Sequence, residues 1–396
     1  MRLKLLGHSA NDLFWFILPL VLPTLLIRYK LNYTQAGGIL TVYLVVTAAG
    51  SFVMGKLSDL FSPRKILGFG FLLAALGLAS SGFAPSLGLF LLAISITAVG
   101  VSTFHPVMYA IIDKVYPDNK GQVMGVYESY GTGAILLMYL VNGFLFQWIG
   151  IRGVMLITAL PALIMGLAFL SSTDPAYAKV AKTADTGVSA KAGTGANVEA
   201  DRKERLRTLR RFVLFLLGVI LRVISVTAVV NFLPTIFVRY FGFMESSAAY
   251  GTAFYFAGGI AGCLVAGKLS KHFNYFAVLT VASALIAISI LIFALDLPKL
   301  VYPVMVAILG FFGGASVINQ NLLMPHLGGK LGKGELFGIL MGVMTITSAI
   351  SPTLFGMVID QAGFNKAFLV FSLPVALNIV LLTYLQRTDT VDRKAV

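Results

Sequence analysis

The stretch LPTLLIRY at residues 22–29 returns as LPTIFVRY at 233–240, and GKLSDLF at 55–61 returns as GKLSKHF at 267–273. The offsets are 211 and 212, and later landmarks keep nearly the same spacing: Gly143 recurs as Gly356, and Leu160-Pro161 as Leu373-Pro374, both shifted by 213. The chain is a duplication of two similar halves. Paired hydrophobic halves are how membrane transporters build a site at the seam between two pseudo-symmetric units.

Composition settles the solvent. Apolar residues make up 58% of the chain and charged residues 12%, with a mean hydropathy of +0.89. A soluble chain carries about a quarter charged residues, so most of this surface must face lipid. Cys263 is the one cysteine, which excludes an internal disulfide and a cysteine-based metal cluster. Arg2 and Lys4 precede an apolar run with no small-residue cleavage site, so that run reads as a first membrane span and not as a signal peptide.

A bilayer core needs about 20 apolar residues per helix. Cut at turn and charge signals, the chain gives twelve runs: 8–28, 35–57, 66–83, 86–112, 121–147 and 153–171, then 211–238, 247–269, 275–295, 299–324, 334–358 and 364–386. This predicts an all-α integral membrane protein with an N-terminal six-helix bundle over 1–171, a linker over 172–210 and a C-terminal bundle over 211–396. Within the linker an Ala/Gly/Thr/Lys mixture gives way to DRKERLRTLRR at 201–211. That run reads either as a helix lying on anionic headgroups or as a solvated topology signal. If the N-terminus is cytoplasmic, the outside loops hold Arg28, Lys30, Arg152, Arg239, Lys299 and Lys366, Arg222 lies within a span, and the remaining 23 of the 30 basic residues are inside. That is the positive-inside pattern, and it puts both termini in the cytoplasm of a bacterial or archaeal cell membrane. The net charge of +14 is then a topology signal, with no bearing on nucleic acid.

Between the second and third spans the chain reads Gly55-Lys56-Leu57-Ser58-Asp59-Leu60-Phe61-Ser62-Pro63-Arg64-Lys65. This resembles the signature loop of the major facilitator superfamily, and the six-plus-six repeat extends the resemblance over the whole chain. The resemblance implies that Gly55, Asp59 and Arg64 hold a cytoplasmic gate, with Asp113 as partner for Arg64; in the second copy Lys271 replaces the aspartate. A narrower likeness sits in two other spans. His8, Asn11 and Asp12 form HxxND and residues 100–106 form GxSxFHP, which together are similar to the fosmidomycin-resistance branch of exporters. Val107 stands where that branch places a glutamate, so that residue's role is not carried over.

Ionisable residues inside spans carry the mechanism, because a charge in hydrocarbon persists where it lines water or meets a partner. His8, Asn11 and Asp12 share one helix face, with Asp12 on the order of 6 Å deep. His105 and Glu128 lie at roughly 10 Å from the same side. A carboxylate in such a layer takes up and releases a proton at physiological pH because low polarity favours its neutral form. Asp12, Glu128 and His105 are therefore the candidate proton-coupling groups. Other roles are open to these three and to His8. His105 precedes Pro106 and could satisfy carbonyls freed by that proline. Glu128 or Asp12 could be a permanent packing pair, and His8 a simple interfacial residue. Arg222 falls on the order of 16 Å deep, on the span that repeats the first, where its fork suits a carboxylate or phosphonate. The alternative is an internal salt bridge with Asp12 or Glu128. With Arg222, the candidate substrate-binding residues are His8, Asn11, Tyr127, Tyr130, Asn319 and Gln320. Pro19, Pro23 and Pro234 are placed to bend helices.

No ATP-binding loop, nucleophile triad or metal-site spacing is present in the sequence, so the expectation is a gradient-driven transporter without cofactor or metal. It is expected to work as a monomer in the bilayer, exporting a small anionic or amphipathic compound against protons. Uptake of an organic anion by proton symport is the alternative, and an integral membrane enzyme or a sensor is the reading from another class.

Overall fold

The computed structural model describes residues 2–57, 60–116, 120–174, 198–269, 272–327 and 333–388. The described chain is helical throughout, as a backbone in hydrocarbon must be to satisfy its own hydrogen bonds. The helices are α1 (Arg2–Arg28), α2 (Tyr33–Leu57), α3 (Pro63–Ser81), α4 (Leu87–Ser102), α5 (Phe104–Val115), α6 (Lys120–Ser171), α7 (Val198–Thr235), α8 (Glu245–Leu269), α9 (Tyr275–Ile292), α10 (Val301–Leu327) and α11 (Lys333–Thr388). Pro63 opens α3, where its missing N–H costs nothing. The Asn274 side chain caps α9 by accepting from the Phe276 and Ala277 amides.

Ten of these stretches are long and apolar enough to cross a bilayer, and two of the ten, Val126–Ser171 and Ile339–Thr388, are twice the needed length. Each folds back on itself. In α6 the break is Gly150 (φ 57°) and in α11 it is Gly363 (φ 80°), positions separated by the repeat offset of 213. A positive φ is where glycine is favoured over any side chain. The reversal is visible in the packing: His8 on α1 meets Tyr127 from the start of α6, while the neighbouring Gly7 abuts Phe169 from its end. Among the described residues there are thus ten long apolar stretches, of which two double back at glycines one repeat offset apart.

Two boundaries differ from the sequence reading. The basic run at 201–211 is continuous with α7 rather than a separate helix, and at its far end Arg207 donates to the carbonyl of Thr388. The fourth pass is broken at Thr103 into α4 and α5. The cause is Pro106, which leaves the Ser102 carbonyl without its helical donor; the Ser51 hydroxyl on α2 donates to it at 3.3 Å.

Small residues bring helices into backbone contact within each bundle. In the C-terminal one, a Cβ at Gly258, Gly262, Gly310 or Gly314 would overlap a main-chain carbonyl of the facing helix, joining α8 to α10. Between the bundles, the recorded contacts gather toward the end where α1 meets α2, termed here the far face. There Gly37 abuts Pro352, Gly356 abuts Tyr33, Gly143 abuts α8, and the Thr41 hydroxyl donates to the Ala349 carbonyl at 2.6 Å. Toward the near face, where α1 begins, Phe52, Val126, Tyr130 and Met341 are exposed. The contacts between the two halves among the described residues close the far face.

Candidate functional site

α1 and the first limb of α6 run side by side from the near face, and α5 crosses them, so three helices bring their titratable groups together. His8 Nδ1 lies 2.7 Å from the Tyr127 carbonyl oxygen. A carbonyl has no proton to give, so Nδ1 carries one and donates it. His8 Nε2 then faces Asp12 Oδ2 at 3.3 Å. The second carboxylate oxygen, Oδ1, faces His105 Nε2 at 3.4 Å, and that nitrogen also lies 3.3 Å from Asn11 Nδ2. Gly131 makes the arrangement possible, since a Cβ there would collide with the Asp12 carboxylate and the His8 ring.

Exposure rises in order through the cluster: His8 is sealed at 0%, Asp12 reaches 14% and His105 23%. Solvent therefore arrives through Asp12 and His105, with His8 behind them. The tyrosine beside it is part of the seal, because Tyr127 is fully buried and its ring stacks on His8 at 3.8 Å between centroids. His8 is a buried group, not an interfacial one. His105 is free to face Asp12 because Ser51 already serves the carbonyl that Pro106 releases.

Glu128 stands at the rim, exposed, and accepts the Tyr109 hydroxyl at 3.0 Å. The Tyr109 ring lies 5.5 Å from that of His105, so it links Glu128 to the inner cluster. Sequence reasoning favours Tyr127 and Tyr130 over Tyr109 as cavity tyrosines; the place of Tyr109 four residues after His105, on the same helix face, is the signal that points to it. Tyr130 is exposed at the same opening. The donor atoms of His8, Asp12 and His105 lie within 4.8 Å of one another, close enough to bracket one small cation or a shared proton.

The C-terminal bundle contributes a different chemistry. Arg222 on α7 is buried, and its Nη2 donates to Gln320 Oε1 on α10. Gln320 Nε2 in turn donates to Met344 Sδ at 3.4 Å. Asn319 is buried and turned back to the Ala315 carbonyl at 2.8 Å, so it rigidifies α10 instead of pointing outward. Among the described residues no carboxylate comes within ion-pair distance of Arg222; neither Asp12 nor Glu128 is its partner here. A buried guanidinium that meets a neutral amide and, among the described residues, no carboxylate is incompletely compensated.

For the gate, Arg64 donates to the Ser172 carbonyl at 3.2 Å. Asp59 and the side-chain surroundings of Gly55 and Asp113 lie outside the described residues. A largely apolar groove of about 430 Å³, lined by Met54, Leu57, Phe69, Leu73 and Val99 together with Lys65, is separate from the His8, Asp12 and His105 cluster.

Ten long apolar helical stretches, a titratable cluster on α1, α5 and α6, and a buried arginine on α7 define a polytopic helical membrane protein. The chain belongs to the Major Facilitator Superfamily, whose family model matches residues 5–333. It is 27% identical over 147 residues to NiaP of Bacillus subtilis, a protein named for niacin and nicotinamide transport, and that match spans 37% of each chain. It is 25% identical over 330 residues to the proton-coupled antiporter flippase LtaA of Staphylococcus saprophyticus, covering 81% of this chain and 77% of that one. Among solved structures, a bacterial homologue of the human lysosomal transporter Spinster, inward-facing and occupied, superposes with a TM-score of 0.79 at 15% identity over 99% of this chain and 97% of that one. That likeness speaks to the fold.

Proposed function

We propose that the protein is a proton-coupled exporter of a small organic anion or amphipathic compound, working as a monomer by alternating access in a bacterial or archaeal cytoplasmic membrane. Its N-terminal bundle (1–171) handles protons, its C-terminal bundle (211–396) orients the cargo, and the 172–210 segment joins them on the cytoplasmic side with both termini. The near face is then cytoplasmic, and the conformation described is inward-open. The observation that carries this reading is the Asp12 carboxylate held between His8 and His105 at 3.3 and 3.4 Å. A carboxylate between two imidazoles passes a proton with little rearrangement. Glu128 and Tyr109 form the entrance to that relay, and Asn11 and Tyr130 line the path of the cargo toward Arg222 and Gln320. The Gly55, Asp59, Arg64 and Asp113 group closes the cytoplasmic side in the alternate state. A proton-coupled antiporter flippase and a protein named for niacin transport among its relatives support both the coupling and a small organic cargo.

The test is transport in proteoliposomes carrying a trapped pH dye, with a panel of carboxylates and phosphonates as cargo. For antiport, at least one member moves opposite to the proton. Asp12→Asn or Glu128→Gln abolishes gradient-driven accumulation while cargo exchange persists. If both variants accumulate cargo normally at every pH at which the parent does, the proton site lies elsewhere. Cargo and proton moving together would replace export with uptake.

A further inference from the structure

We infer that Asp360 is a latch between the bundles, holding the far face shut by capping α2 from the other half of the protein. A helix leaves its first backbone N–H groups without intrahelical partners. In α2 two of these needs are met locally: the Gln35 amide donates to Asn32 Oδ1 at 2.8 Å, and the Asn32 amide donates to Gln35 Oε1 at 3.1 Å, a reciprocal capping pair. The Ala36 amide already donates to the Asn32 carbonyl at 3.0 Å. That leaves Tyr33 and Thr34. Both are served by one carboxylate from α11: Asp360 Oδ1 accepts from the Tyr33 amide at 3.0 Å, and Oδ2 accepts from the Thr34 amide at 2.7 Å and the Thr34 hydroxyl at 2.6 Å. A negative charge at this end of a helix is also stabilised by the helix dipole.

The device is one-sided. By the offset that relates Gly143 to Gly356, the counterpart of Asp360 is Gln147. The counterpart seam has Gly143 packed on Ser246, Ala249 and Tyr250 at the start of α8. That helix carries its own acid, Glu245, in the first turn, whereas the first turn of α2 has none. Of these two seams, the α2–α11 one depends on the opposite bundle for its cap. Opening the far face, as alternating access requires, breaks three hydrogen bonds to Asp360 and exposes the amides of Tyr33 and Thr34. Asp360 is a positioning residue for that step and touches no cargo.

The experiment is a distance measurement on the full chain in lipid nanodiscs, with spin labels at Leu89→Cys and Lys366→Cys on a Cys263→Ser background, one label near the far end of each bundle. No cargo is added, so the outcome is independent of the proposed function. The parent shows mainly the short, closed distance. Asp360→Ala and Asp360→Asn raise the ratio of long to short distances by about fivefold, the equivalent of the ~1 kcal/mol typical of losing an N-cap acceptor. Thr34→Val moves it less in the same direction, and Asp360→Glu keeps the parent distribution. A distribution for Asp360→Ala that matches the parent overturns the latch. Should that variant not fold, the near-isosteric Asp360→Asn decides in the same way.

Discussion

Replacing Arg222 by alanine removes a buried guanidinium whose recorded partner is the amide of Gln320. If the cargo's anionic group binds there, it gains a charge-assisted fork worth about 1.5 to 3 kcal/mol, so Arg222→Ala weakens binding about ten- to a hundredfold. Arg222→Lys restores the charge but not the two parallel donors, and recovers part of the affinity. The same geometry forecasts the behaviour of the empty protein. A cation held only by a neutral amide gives little stability in return for its burial, so Arg222→Ala without cargo unfolds at or above the parent temperature. The assay is a thermal-shift screen for cargo followed by titration of the best compound against parent and variants. Unchanged affinity in Arg222→Ala would refute anion binding. A fall in apo stability, rescued by Asp12→Asn or Glu128→Gln, would instead reveal a salt bridge formed in another conformation.

Two further predictions bear on topology and packing. Single cysteines introduced on a Cys263-free background should report position 190 as unreachable by an impermeant thiol reagent in intact cells; labelling there from outside would invert the orientation. Gly262→Leu should destabilise the C-terminal bundle by about 1 to 3 kcal/mol, the usual cost of overpacking, because its side chain would meet the Phe311 main chain. Gly38→Ala, at a position with open space, serves as a control that leaves the unfolding temperature in detergent where it was; equal effects of the two would remove the glycine contacts from the account.

The architecture was legible because hydrocarbon imposes one-dimensional rules. Apolar runs of fixed length must be helices, and a repeat offset near 212 carries even the reversal points, Gly150 and Gly363, from one half to the other. The clustering of His8, Asp12 and His105 was legible for a related reason: depth can be counted along a helix. What depth cannot supply is which way a side chain turns. Tyr127 and Asn319 sit at the expected level, yet one is a buried platform under His8 and the other is folded back on its own helix. The role of Ser51 at the Ser102 carbonyl was hidden because it depends on how α2 lies against α4, which no local pattern encodes.

Asp360 marks the sharper limit. Half of its logic is written locally, since the Asn32 and Gln35 pair announces the start of α2 and shows that no acid follows it. The other half lies more than 300 residues away in the chain. The two halves of the protein repeat one another in sequence, but the groups proposed to work are the ones the duplication did not preserve: Asp12 and His105 have no acidic or histidine counterpart, Arg222 stands where the first half has Asn11, and Asp360 stands where it has Gln147. A symmetric pair of bundles would have no reason to favour one face or to divide the handling of protons from that of cargo. Under the proposed function, divergence at these few positions gives a symmetric scaffold its direction.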